Sequence, residues 1–475
     1  MLIEKSPVLI IKRQPASLHP LRQDQTPPPS DRYTRLYHPD DSLFNAVAAP
    51  RFWHPTFKLH QYLALVVVLG LIAALLAPLA SVHAQDEPVL LVAWEDDEAL
   101  TIWQTGDETP RQLASGQAYY VNISPDGVWI MSMREPGHPG LWITTADGTV
   151  DKHLFSMDQI TDDEPRRVAQ VAWAHDGRAL YFNTLLGVDA GIRPADDLWR
   201  VAVPDGEPER LLADGEGGQI FPAPEGDLSA LSAAGDYGLP GDPSVPGTIA
   251  FYDPARGTRT VALEFRAVAT ASSARWHARL DWLPDSSGVQ TAIPPAELVY
   301  ATEPAVTTLW LIPVIGTPRQ TGTVEADFYH LPQFSNDGTL IAYLSWTSHS
   351  DLGLATTLLI ANSDGTDPRV VREETYGLIA FDQWLPAGQR FLVLYGAPPA
   401  LKLGQPGDDL EPFPGAAWLD DALWVDSTTY AALAPEYGQD GVYLGHTIGY
   451  GTLGGEWQPI VTLPVGPRFD AVRLD

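Results

Sequence analysis

The chain has 475 residues, and its 43 prolines and 40 glycines favour many short elements joined by turns over long helices. It contains no cysteine, which excludes disulfides, thiolate metal sites and thiol catalysis. The formal net charge is −31, and the residues after position 60 carry 21 basic and 55 acidic side chains, so the body of the protein repels phosphate backbones and is not expected to bind nucleic acid.

The first 59 residues show no persistent apolar period. The proline-rich run at 26–31 interrupts any helix. We therefore expect residues 1–59 to form a disordered leader on the cytoplasmic side of a membrane. A start codon assigned too far upstream is an alternative explanation, because a start near Val47 would leave Arg51 and Lys58 as an ordinary basic head.

An uncharged apolar run follows at residues 62–80 and has the length of a bilayer crossing, about 20 residues. Basic residues precede the run, which places the leader in the cytoplasm and everything after the run outside. Val82 and Ala84 form a small-residue pattern that signal peptidase accepts. Residues 60–84 are therefore expected to be a cleaved signal peptide or a retained transmembrane anchor. The protein from residue 85 onward is extracytoplasmic in both cases, secreted or held at the membrane.

A turn motif recurs through residues 85–475. Its first copy is Ser124-Pro125-Asp126-Gly127, set between two β-prone runs. Asp-Gly supplies the positive φ of a tight hairpin, and proline presets the preceding dihedral angle. The turn cores begin at residues 126, 176, 225, 285, 337, 387 and 426. Their separations, from 39 to 60 residues, are typical of propeller blades.

Each repeat unit contains four predicted strands. A large apolar residue precedes the turn and a β-run follows it, as in Leu340-Ile341-Ala342-Tyr343. A third run, such as Leu141-Trp142-Ile143, leads to a second turn, such as Asp147-Gly148, and a fourth run closes the unit. Four antiparallel strands in about 40–50 residues form one blade of a β-propeller.

This pattern resembles the TolB-type propeller repeat, also called the WD40-like or PD40 repeat. The resemblance rests on residues 124–127 with 141–143, on 335–338 with 358–365, and on 174–177 with 198–199. It covers most of residues 86–475, and the remaining copies are more divergent. The resemblance implies an all-β propeller, while the functions of the family are diverse.

The predicted number of blades is eight, with seven as the alternative. Seven turn cores define seven blades. Residues 88–113 supply three further strands, and the β-run at 468–474 supplies a fourth. Joined, they form an eighth blade in which the C-terminal strand closes the ring and removes exposed sheet edges. The region 396–420 has no clear strand pattern.

Motifs for catalysis, metals and nucleotides are missing from the sequence. It contains no Gly-x-Ser-x-Gly elbow, no His-Glu-x-x-His and no Gly-x-Gly-x-x-Gly that opens a helix. We therefore predict a protein that is not an enzyme and holds no cofactor. Calcium remains open because of the acidic runs at 95–98 and 161–164, although runs of this kind are usually solvated loops.

One basic cluster lies within the acidic body. Arg275, His277 and Arg279 alternate directly before Asp281-Trp282, so we expect them on one face of the innermost strand of their blade. There they could contact an anionic ligand or an acidic peptide in the central channel. The alternative is that they pair with neighbouring carboxylates at a junction between blades.

The tryptophans recur at two fixed repeat positions, which indicates packing between blades rather than sugar platforms. The polar residues that precede the inner-strand position are expected to make structural hydrogen bonds. The first set is Trp142, Trp199 and Trp310, the second is Trp173, Trp282, Trp384 and Trp424, and the polar residues are Asn122, Asp281, Gln333 and Gln383.

These observations predict a non-enzymatic extracytoplasmic propeller that binds another protein or an envelope component. A carbohydrate-binding or polysaccharide-cleaving propeller and a calcium-dependent scaffold are the alternatives. Loops carry function on a rigid scaffold, so the long insertions at 187–197 and 236–247 are the first places where a binding surface is expected.

Overall fold

The structure is a computed structural model. It describes residues 89–474 apart from short gaps at 96–98, 116–117, 135–139, 161–164, 188–192, 237–243, 269–274, 297–303, 328–329, 350–352, 376–377, 387, 397–399, 414–420, 439–441 and 465–466. The predicted leader and the apolar run at 62–80 lie outside these residues. Residues 84–475 form one compact unit.

The described chain is almost entirely β-structure. In chain order, its first strands are β1 (Val89–Glu95), β2 (Ala99–Gln104), β3 (Arg111–Ser115), β4 (Ala118–Ile123), β5 (Trp129–Arg134), β6 (Gly140–Thr145), β7 (Asp151–Ser156), β8 (Arg166–Trp173), β9 (Ala179–Leu186), β10 (Arg193–Pro194), β11 (Leu198–Ala202), β12 (Glu209–Leu212), β13 (Gln219–Pro222), β14 (Ser229–Ala233), β15 (Gly247–Asp253) and β16 (Thr258–Phe265). A single 3-10 turn, Met157–Ile160, separates β7 from β8.

The second half continues the same pattern. Its strands are β17 (Asp281–Trp282), β18 (Gly288–Ile293), β19 (Ala305–Pro313), β20 (Arg319–Ala326), β21 (Gln333–Phe334), β22 (Leu340–His349), β23 (Gly353–Asn362), β24 (Arg369–Glu374), β25 (Leu378–Trp384), β26 (Phe391–Gly396), β27 (Ala400–Gly404), β28 (Glu411–Pro412), β29 (Asp421–Trp424), β30 (Thr429–Tyr437), β31 (Tyr443–Thr452), β32 (Gln458–Leu463) and β33 (Arg468–Leu474).

These strands form eight antiparallel sheets of consecutive strands, which are the eight blades of a propeller. Blade 1 is β4–β7, blade 2 is β8–β12, and blades 3 to 7 take four strands each from β13 to β32. In blade 2 the two-residue strand β10 extends the sheet by pairing with the end of β9. In the region 396–420, where the sequence showed no clear strands, β27 and β28 complete blade 6.

Blade 8 closes the ring with both ends of the described chain. The last strand, β33, pairs with β1 over seven positions, from Val89 opposite Leu474 to Glu95 opposite Arg468. The sheet order β3-β2-β1-β33 confirms the predicted eighth blade and its closing strand, and seven blades are excluded. Closure pairs the edge of β1 with β33, so β1 is not left as an exposed sheet edge.

The repeated turn is held by its aspartate and its glycine. In the first copy, Asp126 Oδ1 accepts hydrogen bonds from the Ser124 hydroxyl at 2.6 Å and from the Val128 amide at 3.1 Å. Gly127 has a φ of +67°, which a residue with a Cβ adopts only at a cost. The motif therefore fixes backbone geometry, as its recurrence predicted.

Adjacent blades are joined by apolar packing and by hydrogen bonds near the channel. The indole Nε1 groups of Trp173, Trp282 and Trp384 each donate to a carbonyl on the inner strand of the preceding blade, at 2.9–3.3 Å. The polar side chains predicted to be structural also bond across blades: Asn122 to Asp470, Asp281 to the Phe334 amide, Gln333 to the Asp382 carbonyl and Gln383 to the Ala422 carbonyl. Both predictions are confirmed at these positions.

The antiparallel order divides the connections between two faces of the ring. The turn face carries the tight turns between the first and second strands and between the third and fourth strands of each blade. The loop face carries the connections between the second and third strands and those that lead to the next blade. On the loop face, blades 2 to 4 have the longest connections: 187–197, 234–246, 266–280 and 294–304.

Candidate functional site

The basic cluster lies on the loop face. Strand β17 begins only at Asp281, so Arg275, His277 and Arg279 belong to the connection that precedes it and not to the innermost strand itself. The prediction was wrong on this point because the chain there is extended but makes no ladder with β18. The predicted alternation is present, since Trp276, Ala278 and Leu280 are buried in the core beside blade 4.

All three basic side chains have carboxylate partners. His277 Nε2 lies 2.7 Å from Asp196 Oδ1, and Arg275 lies 3.6 Å from both Asp196 and Asp236. Arg279 pairs with Asp281 at 3.0 Å. These ion pairs are the alternative that the acidic composition suggested. A role of the cluster in contacting a ligand stays a prediction.

Asp196 is the centre of this arrangement. It comes from the β9–β11 connection of blade 2 and is only 2% exposed. Its Oδ2 accepts a hydrogen bond from the Ala234 amide of blade 3. Its Oδ1 is hydrogen-bonded to His277 in the connection that leads into blade 4. Its φ is +53°, a strained value for a residue other than glycine that persists only where the surroundings over-determine it. One carboxylate thus ties together the loops of three blades.

A second, buried ion network supports the same loop. Arg166 contacts Asp197 and Asp214, each at 3.0 Å, and its guanidinium also bonds to the Thr184 hydroxyl. Asp197 further accepts hydrogen bonds from Thr184 and from the Trp199 indole. The fully desolvated arginine–aspartate pair is costly unless its remaining donors and acceptors are satisfied, and these bonds satisfy them in part.

Sequence analysis did not identify this second network. Arg166 is separated by 31 positions from Asp197 and by 48 from Asp214, and no local motif connects them. The available signal was the pair Asp196-Asp197 directly before Leu198-Trp199, two adjacent acids at the entrance to a buried strand. Charged residues at such a position are buried only when they are paired.

Burial raises the pKa of Asp281, and the neighbouring Arg279 guanidinium opposes this rise by favouring the charged form. Asp281 also accepts the Phe334 amide of blade 5 at 3.0 Å. Arg279 is therefore occupied in stabilising a carboxylate at the junction of blades 4 and 5. Its side chain is still 45% exposed, which leaves part of the guanidinium open to solvent.

Within the residues that the structure describes, no group of three or more histidine or acidic side chains is arranged to hold a metal ion. Of the acidic runs considered for calcium, residues 96–98 and 161–164 lie outside those residues. No helix in the described part of the chain is long and apolar enough to cross a membrane. The apolar run at 62–80 lies outside the described residues.

No family model matches the chain, and no curated protein matches it in sequence. Among solved structures, it is similar to TolB from Acinetobacter baumannii, with 14% identity and a TM-score of 0.30, over 58% of this chain and 61% of TolB. The chain thus spans about three fifths of the length of TolB.

The other similar structures include parts of enzymes. The propeller domain of the Trilobed protease from Pyrococcus furiosus shares 12% identity, with a TM-score of 0.42, over 72% of this chain and 98% of the domain. Dipeptidyl peptidase 4 from Porphyromonas gingivalis shares 11% identity, with a TM-score of 0.47, over 74% of this chain and 53% of that protein. At these identities and TM-scores the similarities assign no function to this chain, and its propeller fold is shown by its own eight sheets.

Proposed function

We propose that the protein is an extracytoplasmic binding propeller that recognises another protein or an envelope component through the loop face of blades 2 to 4. The observation that carries the proposal is Asp196, which links the loops of blades 2 and 3 to the segment ahead of blade 4. Loops held in one arrangement before binding lose less conformational entropy when a partner docks.

The distribution of connections supports this surface. Blades 2 to 4 carry four connections of 11 to 15 residues on the loop face, for example 187–197 and 266–280, whereas β22 and β23 of blade 5 are joined by residues 350–352 alone. Long loops on a rigid scaffold are the usual carriers of binding function. The extracytoplasmic location rests on the apolar run at 62–80 and the TolB-like repeat, and it is part of the proposal.

The test compares capture of partners by matched variants of the full-length chain. In one variant, residues 188–192 and 237–243 are replaced by Gly-Ser segments of equal length. The control variant is Ile315→Ser, since Ile315 is 92% exposed on the turn face of blade 4. We expect the wild type and the control to retain the same component of a membrane extract, and the loop variant to lose it.

Equal retention by all three proteins would place the binding surface elsewhere and contradict the proposal. Cleavage of a polysaccharide by the purified wild-type chain would overturn the non-enzymatic role. Each variant is first compared with the wild type by thermal unfolding, so that a loss of binding is not a loss of fold.

A further inference from the structure

A cleft of about 420 Å³ lies between blades 2 and 3 on the turn face, on the opposite side of the ring from the loops discussed above. Its floor holds Tyr181 and Arg200 of blade 2 and Tyr252 of blade 3, and carboxylates stand at its rim. Its volume is within the range of small-molecule sites, about 300–1,000 Å³.

Blade 2 supplies one wall from three neighbouring strands. Arg200 on β11 lies directly opposite Tyr181 on β9 and Glu209 on β12, so the three side chains share one face of the sheet. The Arg200 guanidinium lies near the Tyr181 hydroxyl, and its charge opposes the rise that burial causes in the pKa of Tyr181. Among the described residues, no carboxylate lies within 4 Å of this guanidinium, so its donors are open to a ligand.

Tyr252 supplies a second open polar group. It is only 4% exposed, yet it lines the cleft, and its hydroxyl forms no hydrogen bond within the described part of the chain. Burial, with smaller effects of Tyr181 and Glu209, raises the pKa of Tyr252, so the hydroxyl stays protonated and available as a donor. The hydroxyl reaches the open volume of the cleft, where it can donate a hydrogen bond to a ligand acceptor.

The rim of the cleft is acidic, whereas its floor carries the Arg200 guanidinium. Asp176 comes from the first turn of blade 2, Asp227 from the first turn of blade 3, and Glu209 from the start of β12. All three side chains are exposed, and neither Asp227 nor Glu209 forms an ion pair with a described residue. The cleft therefore places a cation that forms no ion pair within 4 Å, together with a phenol donor, at its base, and three carboxylates at its rim.

We infer that this cleft binds a small zwitterionic ligand with excess positive charge, of the size of a basic amino acid or a short basic peptide. The ligand carboxylate is received by Arg200 and the Tyr252 hydroxyl, since a guanidinium matches a carboxylate with two parallel hydrogen bonds. Asp176, Asp227 and Glu209 receive the ammonium or guanidinium groups. This site is independent of the proposed partner surface on the loop face.

The test is isothermal titration of the full-length chain, at low ionic strength, with L-arginine, with agmatine, which lacks the carboxylate, and with L-glutamate. L-arginine should bind, agmatine should bind about tenfold more weakly because it cannot engage Arg200, and L-glutamate should not bind. The absence of saturable binding of L-arginine would overturn the inference.

Two variants separate the roles of the floor and the rim. Arg200→Gln should reduce the affinity for L-arginine to that for agmatine, and Asp227→Asn should weaken the binding of both ligands. The matched control is Arg369→Gln, which changes an exposed arginine on the turn face of blade 5 and should leave binding unchanged. If Arg200→Gln binds L-arginine as the wild type does, the assignment of the carboxylate site is wrong.

Discussion

Asp470 is a residue whose ionisation the fold alters. It lies on the closing strand β33, where its carboxylate accepts the Ile123 amide at 2.6 Å and Asn122 donates to it at 3.3 Å. Burial raises its pKa to about 6. In the unfolded chain the pKa of an aspartate is about 3.9, so the folded form binds more protons between about pH 4 and pH 6.

The stabilisation associated with Asp470 is therefore complete below about pH 4 and is lost as the pH rises through about 6. We expect Asp470→Asn to stabilise the ring above pH 6, on the order of 3 kcal/mol at about 1.4 kcal/mol per pKa unit. The asparagine side-chain oxygen can still accept the hydrogen bond from the Ile123 amide. Urea unfolding from pH 4 to pH 8 measures this difference.

Asp364→Asn provides the control, because the fold lowers the pKa of Asp364 where it raises the pKa of Asp470. Hydrogen bonds from Thr366 lower the pKa of Asp364, so its contribution is present above about pH 4 and is lost in more acidic solution. The difference between this variant and the wild type should be constant from pH 5 to pH 8. A pH-independent effect of Asp470→Asn would contradict the assigned ionisation.

Glycine in the repeated turn is required by backbone geometry. Gly127 and Gly226 occupy the same position in blades 1 and 3, with φ values of +67° and +77°. A Cβ at 226 meets no atom within 4 Å, whereas a Cβ at 127 lies 2.0 Å from Leu474 Cδ2 on the closing strand. The positive φ alone should lower the free energy of unfolding of each alanine variant by about 1 kcal/mol.

Gly127→Ala should lower the free energy of unfolding more than Gly226→Ala does, because the Leu474 side chain must also move. The free energies of unfolding in urea compare the two variants. Both should leave partner capture unchanged, since the turn has a structural role. An unchanged stability of Gly226→Ala would show that positive φ is not the reason for glycine here.

At the scale of the element, an indole joins the inner strand of three blades to the inner strand of the preceding blade. Trp384 Nε1 donates to the Gln333 carbonyl of the preceding blade at 3.0 Å, whereas Trp424 Nε1 is buried with no partner among the described residues. Phenylalanine removes the same atoms at both positions. Trp384→Phe should therefore cost about 1 kcal/mol more than Trp424→Phe, which is the net value of one hydrogen bond.

Thermal or urea unfolding of the two variants measures this difference. Equal costs would mean that the indoles act through packing alone.

The strand pattern and the packing role of these tryptophans were predictable because they recur in register. The start of β17 was not, since an extended segment and a strand have the same alternation of buried residues.

At the scale of the whole molecule, the ring depends on the pairing of β33 with β1. Removal of residues 467–475 would expose the buried edge of β1, whose residues Leu91 to Ala93 are 0% exposed. We expect the truncated chain to unfold at a lower temperature and to associate through this edge. Adding a synthetic peptide of residues 467–475 should restore the monomer and part of its stability.

Size-exclusion chromatography and thermal unfolding, with and without the peptide, test this prediction. A peptide with the same composition in scrambled order is the control. A truncated chain with unchanged stability would show that the ring does not depend on the pairing of β33 with β1.

The sequence by itself determined the all-β class, the period of the blades and the closing strand, because local turn chemistry and β-runs recur along the chain. It favoured eight blades over seven, and the pairing of the strands decided between the two. Tertiary structure alone decided which distant charges meet. Asp196 and His277 are 81 positions apart, and Arg166 and Asp214 are 48 apart. The cleft between blades 2 and 3 likewise joins residues from separate units. Contacts of this kind depend on how blades pack against one another. A repeat pattern does not predict them, because the loops and side chains that make them differ between its copies.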